Sequence, residues 1–164
     1  MKKELDILII EDVSRDADLI ESELGDAGLR HRSRRVVDQK TFLDALRTAR
    51  PDIILSDYSM PEFSGLRAVE LLQSSGREIP FILISGTVGE DVAVEAMRRG
   101  ATDYLLKDRI VRLGSAVERA LRETAGAHGG GEFPTFLDHA DERGIGAFRR
   151  GLAVENRLRL FVGK

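Results

Sequence analysis

Short apolar runs alternate along the first 124 residues with longer segments in which apolar side chains recur every three or four positions. Each run is nearly continuous, which is typical of a strand that is buried on both faces of a parallel sheet. The runs predict five strands, of which the second is the weakest: Leu5–Ile10, Arg32–Val37, Ile53–Ser56, Phe81–Ser85 and Thr102–Leu106.

The intervening segments have the periodicity of amphipathic helices. In the first of them, the apolar residues from Val13 to Ala27 step by four, three, four and three positions along one helical face. Four more helices are predicted near residues 42–49, 66–72, 90–99 and 111–124. Five strands that alternate with five helices predict an α/β fold, in which right-handed crossovers build an open, doubly wound parallel sheet.

The composition narrows the class of protein. With 42% hydrophobic residues the chain has enough apolar surface to bury a core, and its apolar runs are too short to span a bilayer. The absence of cysteine excludes disulfides, thiolate metal sites and cysteine nucleophiles. A net charge of -3 disfavours a protein that coats nucleic acid. We therefore expect a cytoplasmic globular protein that binds neither membranes nor nucleic acid directly.

The chain divides near residue 125. Half of its 16 glycines follow that point, and the run from His128 to Gly131 is typical of a linker. We predict a domain over residues 1–124 and a glycine-rich linker with a short C-terminal tail over 125–164. The tail leaves four interpretations open: an amphipathic helix, an edge strand, a truncated neighbouring domain, or sequence foreign to the native protein. We expect its histidines, and His31 in the domain, to be surface residues without an acidic partner.

Polar residues stand at the end of, or directly after, four of the five predicted strands. Glu11 and Asp12 follow the first strand, Asp57 the third, Ser85 ends the fourth and Lys107 follows the fifth. Ligands of doubly wound sheets bind at the carboxyl ends of the strands, beside the switch in strand order. We therefore expect three carboxylates, one hydroxyl and one ammonium to converge on a single edge.

This combination of groups favours phosphoryl transfer. Three adjacent carboxylates repel one another unless a cation intervenes, and Mg²⁺ prefers such oxygen ligands. A carboxylate is able to act as a nucleophile and form an aspartyl phosphate, while Lys107 suits a phosphoryl group. Taken singly, the residues have ordinary interpretations, since Glu11 and Asp12 fit a capping turn and Lys107 a solvated side chain. Only their coincidence at one edge indicates a function.

The motifs at these strand ends closely resemble those of bacterial response-regulator receiver domains over about residues 4–123. The matching pieces are Ile9-Ile10-Glu11-Asp12, Ile54-Leu55-Ser56-Asp57-Tyr58-Ser59-Met60-Pro61 with Gly65, Ile84-Ser85-Gly86 and Tyr104-Leu105-Leu106-Lys107. The resemblance implies a flavodoxin-like sheet with strand order 2-1-3-4-5, followed by a C-terminal extension. It also implies a role in a two-component phosphorelay.

The resemblance further implies roles for individual residues. Asp57 would accept a phosphoryl group from a phosphohistidine on a sensor histidine kinase or a histidine phosphotransfer protein. Glu11, Asp12, Asp57 and the backbone carbonyl of Ser59 would hold Mg²⁺. Lys107 would contact the phosphoryl oxygens. Such a domain is a signalling module rather than an enzyme, because it catalyses only its own phosphorylation and dephosphorylation.

Four residues would govern the output of such a domain. Ser85 would move towards the phosphoryl group, and Tyr104 would act as the coupled aromatic switch on the surface formed by the fourth helix, fifth strand and fifth helix. Ser59 and Thr87 occupy positions that tune the lifetime of the acyl phosphate. Homodimer formation stays open.

The chain departs from the family at Asp108, where a proline usually follows the lysine after a cis peptide bond. A cis bond before a residue other than proline costs about 2.5–4 kcal/mol, so we expect a trans bond and an altered loop beside Lys107.

Two other functions remain open. The first is a binding module that works without phosphorylation. The second is an aspartate-nucleophile phosphatase, which usually carries a second aspartate where this chain has Ser59.

Overall fold

The computed structural model describes residues 3–87 and 89–126. Within these residues, five β-strands alternate with five α-helices. The strands are β1 (Leu5–Ile10), β2 (His31–Val36), β3 (Ile53–Asp57), β4 (Phe81–Ser85) and β5 (Asp103–Leu106). The helices are α1 (Ser14–Asp26), α2 (Gln39–Thr48), α3 (Gly65–Ser74), α4 (Glu90–Arg98) and α5 (Leu113–Gly126), with a 3₁₀ helix, η1 (Lys107–Arg112), before α5.

All five strands pair in parallel in the order β2-β1-β3-β4-β5, which confirms the predicted topology. From β1 the chain first adds β2 on one side and then places β3 on the other side. The switch in strand order therefore lies between β1 and β3, at the position where doubly wound sheets bind their ligands.

The core holds the ends of β1 and β3 in place from both faces of the sheet. Every residue of β3 and β4 is buried, because helices cover both faces. On one face, Leu24 of α1 and Val117 of α5 pack into a cluster with alternate residues of the strands. On the other, Phe42 of α2 packs against Phe63 with ring centroids 5.6 Å apart. Each such buried side chain stabilises the fold by roughly 1.5–3 kcal/mol.

Strand β2 lies at one edge of the sheet, and this position explains why its apolar run is the weakest in the sequence. Only Val36 is buried, whereas the four residues from Arg32 to Arg35 are exposed. Charged side chains on an edge strand disfavour pairing with other chains. The strand is therefore specified more by its pairing with β1 than by its own apolar residues.

Two expectations about element boundaries change. The fifth helix was predicted to begin at Val111, but this residue lies in η1, is 77% exposed, and precedes the first residue of α5. Helix α5 continues to Gly126. The predicted linker and tail fall almost entirely on residues 127–164, which lie outside the described residues, so the division at 125 stays a prediction.

The expectation that His31 is a surface residue without an acidic partner is wrong. Its side chain is only 11% exposed, and its Nε2 lies 2.8 Å from Oε2 of Glu21 on α1. Its Nδ1 lies 2.9 Å from the carbonyl oxygen of Leu29. Burial by itself lowers the pKa of His31, but the contacts with Leu29 and Glu21 outweigh it and raise the pKa above 6.5. The His31 side chain thus ties the start of β2 to α1.

This contact predicts a pH dependence of stability. Because the pKa of His31 is higher in the folded than in the unfolded chain, its stabilisation is complete below about pH 6.5 and is lost as the pH rises through the folded value. We expect the free energy of unfolding to fall over this range in the wild type relative to His31→Gln. Urea unfolding of both proteins at a series of pH values measures the difference, and parallel curves would contradict the prediction.

Candidate functional site

Three carboxylates meet at the carboxyl edge of the sheet, beside the switch between β1 and β3. Glu11 and Asp12 directly follow β1, and Asp57 is the last residue of β3. One carboxylate oxygen from each lies within 4.8 Å of the others. Glu11 is fully buried, Asp57 is 4% exposed and Asp12 is exposed. The cluster therefore has a buried floor and one side open to solvent.

Glu11 is held in an electrostatically unfavourable position. Its Oε1 accepts a hydrogen bond from the backbone N–H of Val13 at 3.0 Å, whereas its buried Oε2 has no hydrogen-bond partner. Burial raises the pKa of Glu11 to about 7, although the Val13 N–H opposes the shift, and the charge of Asp57 raises it further. A buried carboxylate oxygen without a partner needs a cation or a proton.

Lys107 supplies a positive charge beside the cluster. Its Nζ lies 3.1 Å from Oδ1 of Asp57 and 3.5 Å from Oε2 of Glu11. Burial alone lowers the pKa of Lys107, but Asp16 and Asp57 outweigh it, so the pKa is raised and the side chain stays charged. The pKa of Asp57 is raised by burial, which Lys107 partly offsets. One ammonium thus faces several carboxylates, a net negative site.

Asp16 is a site residue that sequence analysis missed. It lies in the first turn of α1, and its Oδ2 is 2.6 Å from Nζ of Lys107, closer than the oxygens of Asp57 or Glu11. It stands four residues after Asp12, with Asp12 before the start of the helix and Asp16 inside its first turn. That spacing is a signal only when the partner lysine is known, and 91 residues separate the pair.

The cluster fits a magnesium ion. Mg²⁺ binds hard oxygen ligands, commonly one or two carboxylates with water and phosphate oxygens. Here three carboxylate oxygens lie close together, and one of the carboxylates carries the buried oxygen without a hydrogen-bond partner. Ser59 lies exposed in the loop after β3. Its carbonyl as a further ligand stays a prediction.

Ser85 and Tyr104 converge on Thr87 in the loop after β4. The Ser85 Oγ lies 3.1 Å from Oγ1 of Thr87 and accepts a hydrogen bond from the Thr87 N–H at 3.2 Å. The hydroxyl of the buried Tyr104 donates to the Thr87 carbonyl at 3.0 Å. The two predicted switch residues and one predicted tuning residue therefore form one hydrogen-bonded group at the ends of β4 and β5.

Asp108 does not remove Lys107 from the site. The described residues contain no cis peptide bond, so the Lys107–Asp108 bond is trans, as expected. The chain enters η1 directly after β5, and Arg109 has non-helical backbone angles there (φ -116°, ψ 24°). The Lys107 Nζ reaches Asp57 nonetheless, because Lys107 directly follows the last residue of β5 and precedes the non-helical Arg109.

The family model for the response regulator receiver domain matches residues 7–118. The chain belongs to this family. The match spans β1 to α5 and includes every residue of the acidic cluster and Lys107. It confirms the family resemblance and makes this chain a signalling domain, the receiver of a response regulator.

Curated relatives share the receiver but are much longer. The regulatory protein LuxO of Vibrio vulnificus (strain YJ016) is 31% identical over 102 residues, which cover 58% of this chain and 22% of LuxO. The regulatory protein AtoC of Escherichia coli (strain K12) is 36% identical over 84 residues, which cover 51% of this chain and 18% of AtoC. The chain thus spans about a fifth of the length of these relatives.

Solved receiver domains share the fold. The receiver of the Francisella response regulator 1452 has a TM-score of 0.65 at 24% identity, covering 73% of this chain and 98% of that one. The receiver of sensor histidine kinase PA1611 from Pseudomonas aeruginosa PAO1 has a TM-score of 0.63 at 24% identity, covering 73% and 99%. That neighbour is described with a magnesium ion coordinated in its active site cleft.

Proposed function

We propose that this receiver accepts a phosphoryl group on Asp57 from a phosphohistidine of a sensor histidine kinase or histidine phosphotransfer protein. One observation carries the proposal. The Asp57 carboxylate at the end of β3 has an oxygen within 4.8 Å of carboxylate oxygens of Glu11 and Asp12, and its Oδ1 lies 3.1 Å from the Lys107 ammonium. The arrangement provides a nucleophile, a candidate metal site and a cation for the phosphoryl oxygens.

In the reaction, a carboxylate oxygen of Asp57 forms a bond to phosphorus while the bond from phosphorus to the imidazole nitrogen breaks. The leaving imidazole takes up a proton. Lys107 moves from its carboxylate partners to a phosphoryl oxygen and offsets the added negative charge. Glu11, Asp12, Asp57 and the carbonyl of Ser59 would hold Mg²⁺, which would neutralise negative charge on the carboxylates and on the incoming phosphoryl group. The domain catalyses only the phosphorylation and dephosphorylation of its own Asp57.

The response to phosphorylation runs through the group around Thr87. The Ser85 hydroxyl, now bonded to Thr87, turns towards the phosphoryl oxygens, which removes a restraint on the loop that also receives the Tyr104 hydroxyl. Phosphorylation then favours one of two arrangements of the surface formed by α4, β5 and α5. Ser59 and Thr87, both exposed at the rim of the site, tune the lifetime of the acyl phosphate.

The protein works in the cytoplasm, where histidine kinases present their phosphohistidines. In the described part of the chain no helix has the length and apolar character needed to cross a bilayer. The relative NtrC of Proteus hauseri is named a DNA-binding transcriptional regulator, and this receiver matches 14% of its length. We propose that the receiver does not itself bind nucleic acid, since the chain carries a net charge of -3.

A phosphotransfer experiment tests this function. A histidine phosphotransfer domain carrying radiolabelled phosphate on its histidine is mixed with the chain and Mg²⁺. We expect label to appear on the chain, and to remain on the donor with Asp57→Asn or in EDTA. Retention of all label on donors that nevertheless bind the chain would overturn the proposal and favour a phosphorylation-independent binding module.

The Asp16–Lys107 pair predicts the effect of a second substitution. Because Asp16 competes with the incoming phosphoryl group for Lys107 and repels an anionic donor, we expect Asp16→Asn to take up phosphate faster. Both side chains are about one-third exposed, so the gain is about two- to fivefold. Initial rates with a small phosphodonor at saturating Mg²⁺ measure it.

Asp18→Asn is the matched control, because it removes the same charge from an exposed position of α1. Equal rates for the two variants would show that the contact with Lys107 has no effect on phosphorylation.

A further inference from the structure

Arg35, near the end of the edge strand β2, contacts the backbone of the acidic cluster directly. Its Nε donates to the carbonyl oxygen of Glu11 at 2.8 Å, and its Nη2 donates to the carbonyl oxygen of Asp12 at 2.7 Å. Two parallel hydrogen bonds from one planar guanidinium fix both distance and orientation. The side chain thus holds two successive peptide groups of the turn that carries two of the three clustered carboxylates.

The turn needs such support because the sheet ends there. The β1–β2 ladder runs to the pair Ile10 and Val36, and one further bond joins the Glu11 N–H to the Val36 carbonyl at 3.1 Å. Beyond this point the chain leaves the sheet and enters α1. Arg35 is paired with Ile9, one position before the end of the ladder, and its side chain extends the restraint past that end.

We propose that Arg35 is a positioning residue for the metal site: it fixes the Glu11–Asp12 backbone so that both carboxylates face Asp57. The inference rests on the proposed function, since it assigns a role in building the cation site. It extends that function to a residue of β2, a strand that supplies none of the clustered carboxylates.

The sign of the effect separates this role from simple electrostatics. A guanidinium beside a cation site repels the cation, so charge alone predicts tighter Mg²⁺ binding when Arg35 is replaced. Positioning predicts weaker binding, because the Glu11–Asp12 turn gains freedom that metal binding must then remove. The two accounts therefore predict opposite shifts in the same measurement.

The neighbouring arginines of β2 provide controls. Arg34 precedes Arg35, is exposed, and points to the opposite face of the strand. Arg32 pairs with Asp6 at 3.1 Å, at the opposite end of β1 from the cluster. Replacing Arg34 with glutamine removes one positive charge from the same strand without touching the Glu11–Asp12 turn.

Calorimetric titration with Mg²⁺ alone tests the proposal on the wild type, Arg35→Gln, Arg35→Lys and Arg34→Gln. We expect Arg35→Gln to raise the Mg²⁺ dissociation constant by about tenfold, and Arg35→Lys by less, since an ammonium can satisfy one carbonyl. Arg34→Gln is expected to bind as tightly as the wild type or more tightly. With a small phosphodonor, Arg35→Gln needs more Mg²⁺ for half-maximal phosphorylation but reaches a similar maximal rate.

Unchanged or tighter Mg²⁺ binding by both Arg35 variants overturns the positioning role and leaves the proposed function intact. A wild type that binds no Mg²⁺ overturns both. Thermal unfolding of each variant checks that the fold is retained, and if Arg35→Gln does not fold, Arg35→Lys decides the question by the same comparison. A lower maximal rate at saturating Mg²⁺ with an unchanged dissociation constant would also contradict the proposal.

Discussion

Without Mg²⁺, Glu11→Gln is expected to be more stable than the wild type, and its affinity for Mg²⁺ is expected to fall by at least about tenfold. The wild-type carboxylate is fully buried, has an oxygen without a hydrogen-bond partner and has its pKa raised to about 7. Because the folded state keeps the proton to higher pH than the unfolded chain, the wild type loses stability as the pH rises from 4.5 to about 7. Above that range the variant should be more stable by about 3 kcal/mol.

Chemical unfolding across this pH range, with and without Mg²⁺, measures both effects. We expect the stability difference between Glu11→Gln and the wild type to grow with pH in EDTA and to shrink or reverse in saturating Mg²⁺. Asp12→Asn is the control, because Asp12 is exposed and its replacement should weaken Mg²⁺ binding with little gain in stability. Lower stability of Glu11→Gln at every pH in EDTA would mean that the carboxylate stabilises the fold and is not held there for a cation.

Gly65→Ala is expected to destabilise the protein and to slow phosphorylation. A Cβ at Gly65, the first residue of α3, would lie 2.5 Å from the backbone carbonyl oxygen of Asp57 and would clash with Leu83. The carbonyl belongs to β3 and has little freedom to move, so the helix or the strand end must shift. We expect a loss of about 1–3 kcal/mol in the free energy of unfolding, with displacement of the Asp57 carboxylate.

Two other glycines separate the contributions to this effect. Gly114→Ala also overpacks, against Ala27 where α5 meets α1, and is expected to lower stability without slowing phosphoryl uptake. Gly25→Ala has open space around it in the last turn of α1 and is expected to raise stability by up to about 0.5 kcal/mol. Urea unfolding measures the stability of each variant and initial rates measure its phosphorylation, so the two effects are separated. Normal phosphorylation by Gly65→Ala would contradict the account.

Sequence periodicity predicts the sheet well, because each central strand is buried on both faces and reads as a continuous apolar run. The runs in β1, β3 and β4 match the observed strands to within one residue. Their order then fixes which polar residues reach the carboxyl edge, and the structure places Glu11, Asp12, Asp57 and Lys107 within a few ångströms there.

Other features of the site depend on contacts that no local pattern encodes. Asp16 meets Lys107 across 91 residues, and Arg35 reaches the Glu11–Asp12 turn only because β2 pairs with β1 in one register. The partner of His31 is Glu21 on α1, a contact that the sequence of β2 does not encode. Helix η1 was missed because a short 3₁₀ segment shares the apolar spacing of the α-helix that follows it.

The most direct test of the central claim is the intact mass of the protein after incubation with a small phosphodonor and Mg²⁺, beside Asp57→Asn. We expect one base-labile phosphoryl adduct on the wild type, none in EDTA and none on the variant. The absence of an adduct under every donor and metal condition, or an equal adduct on Asp57→Asn, would contradict it.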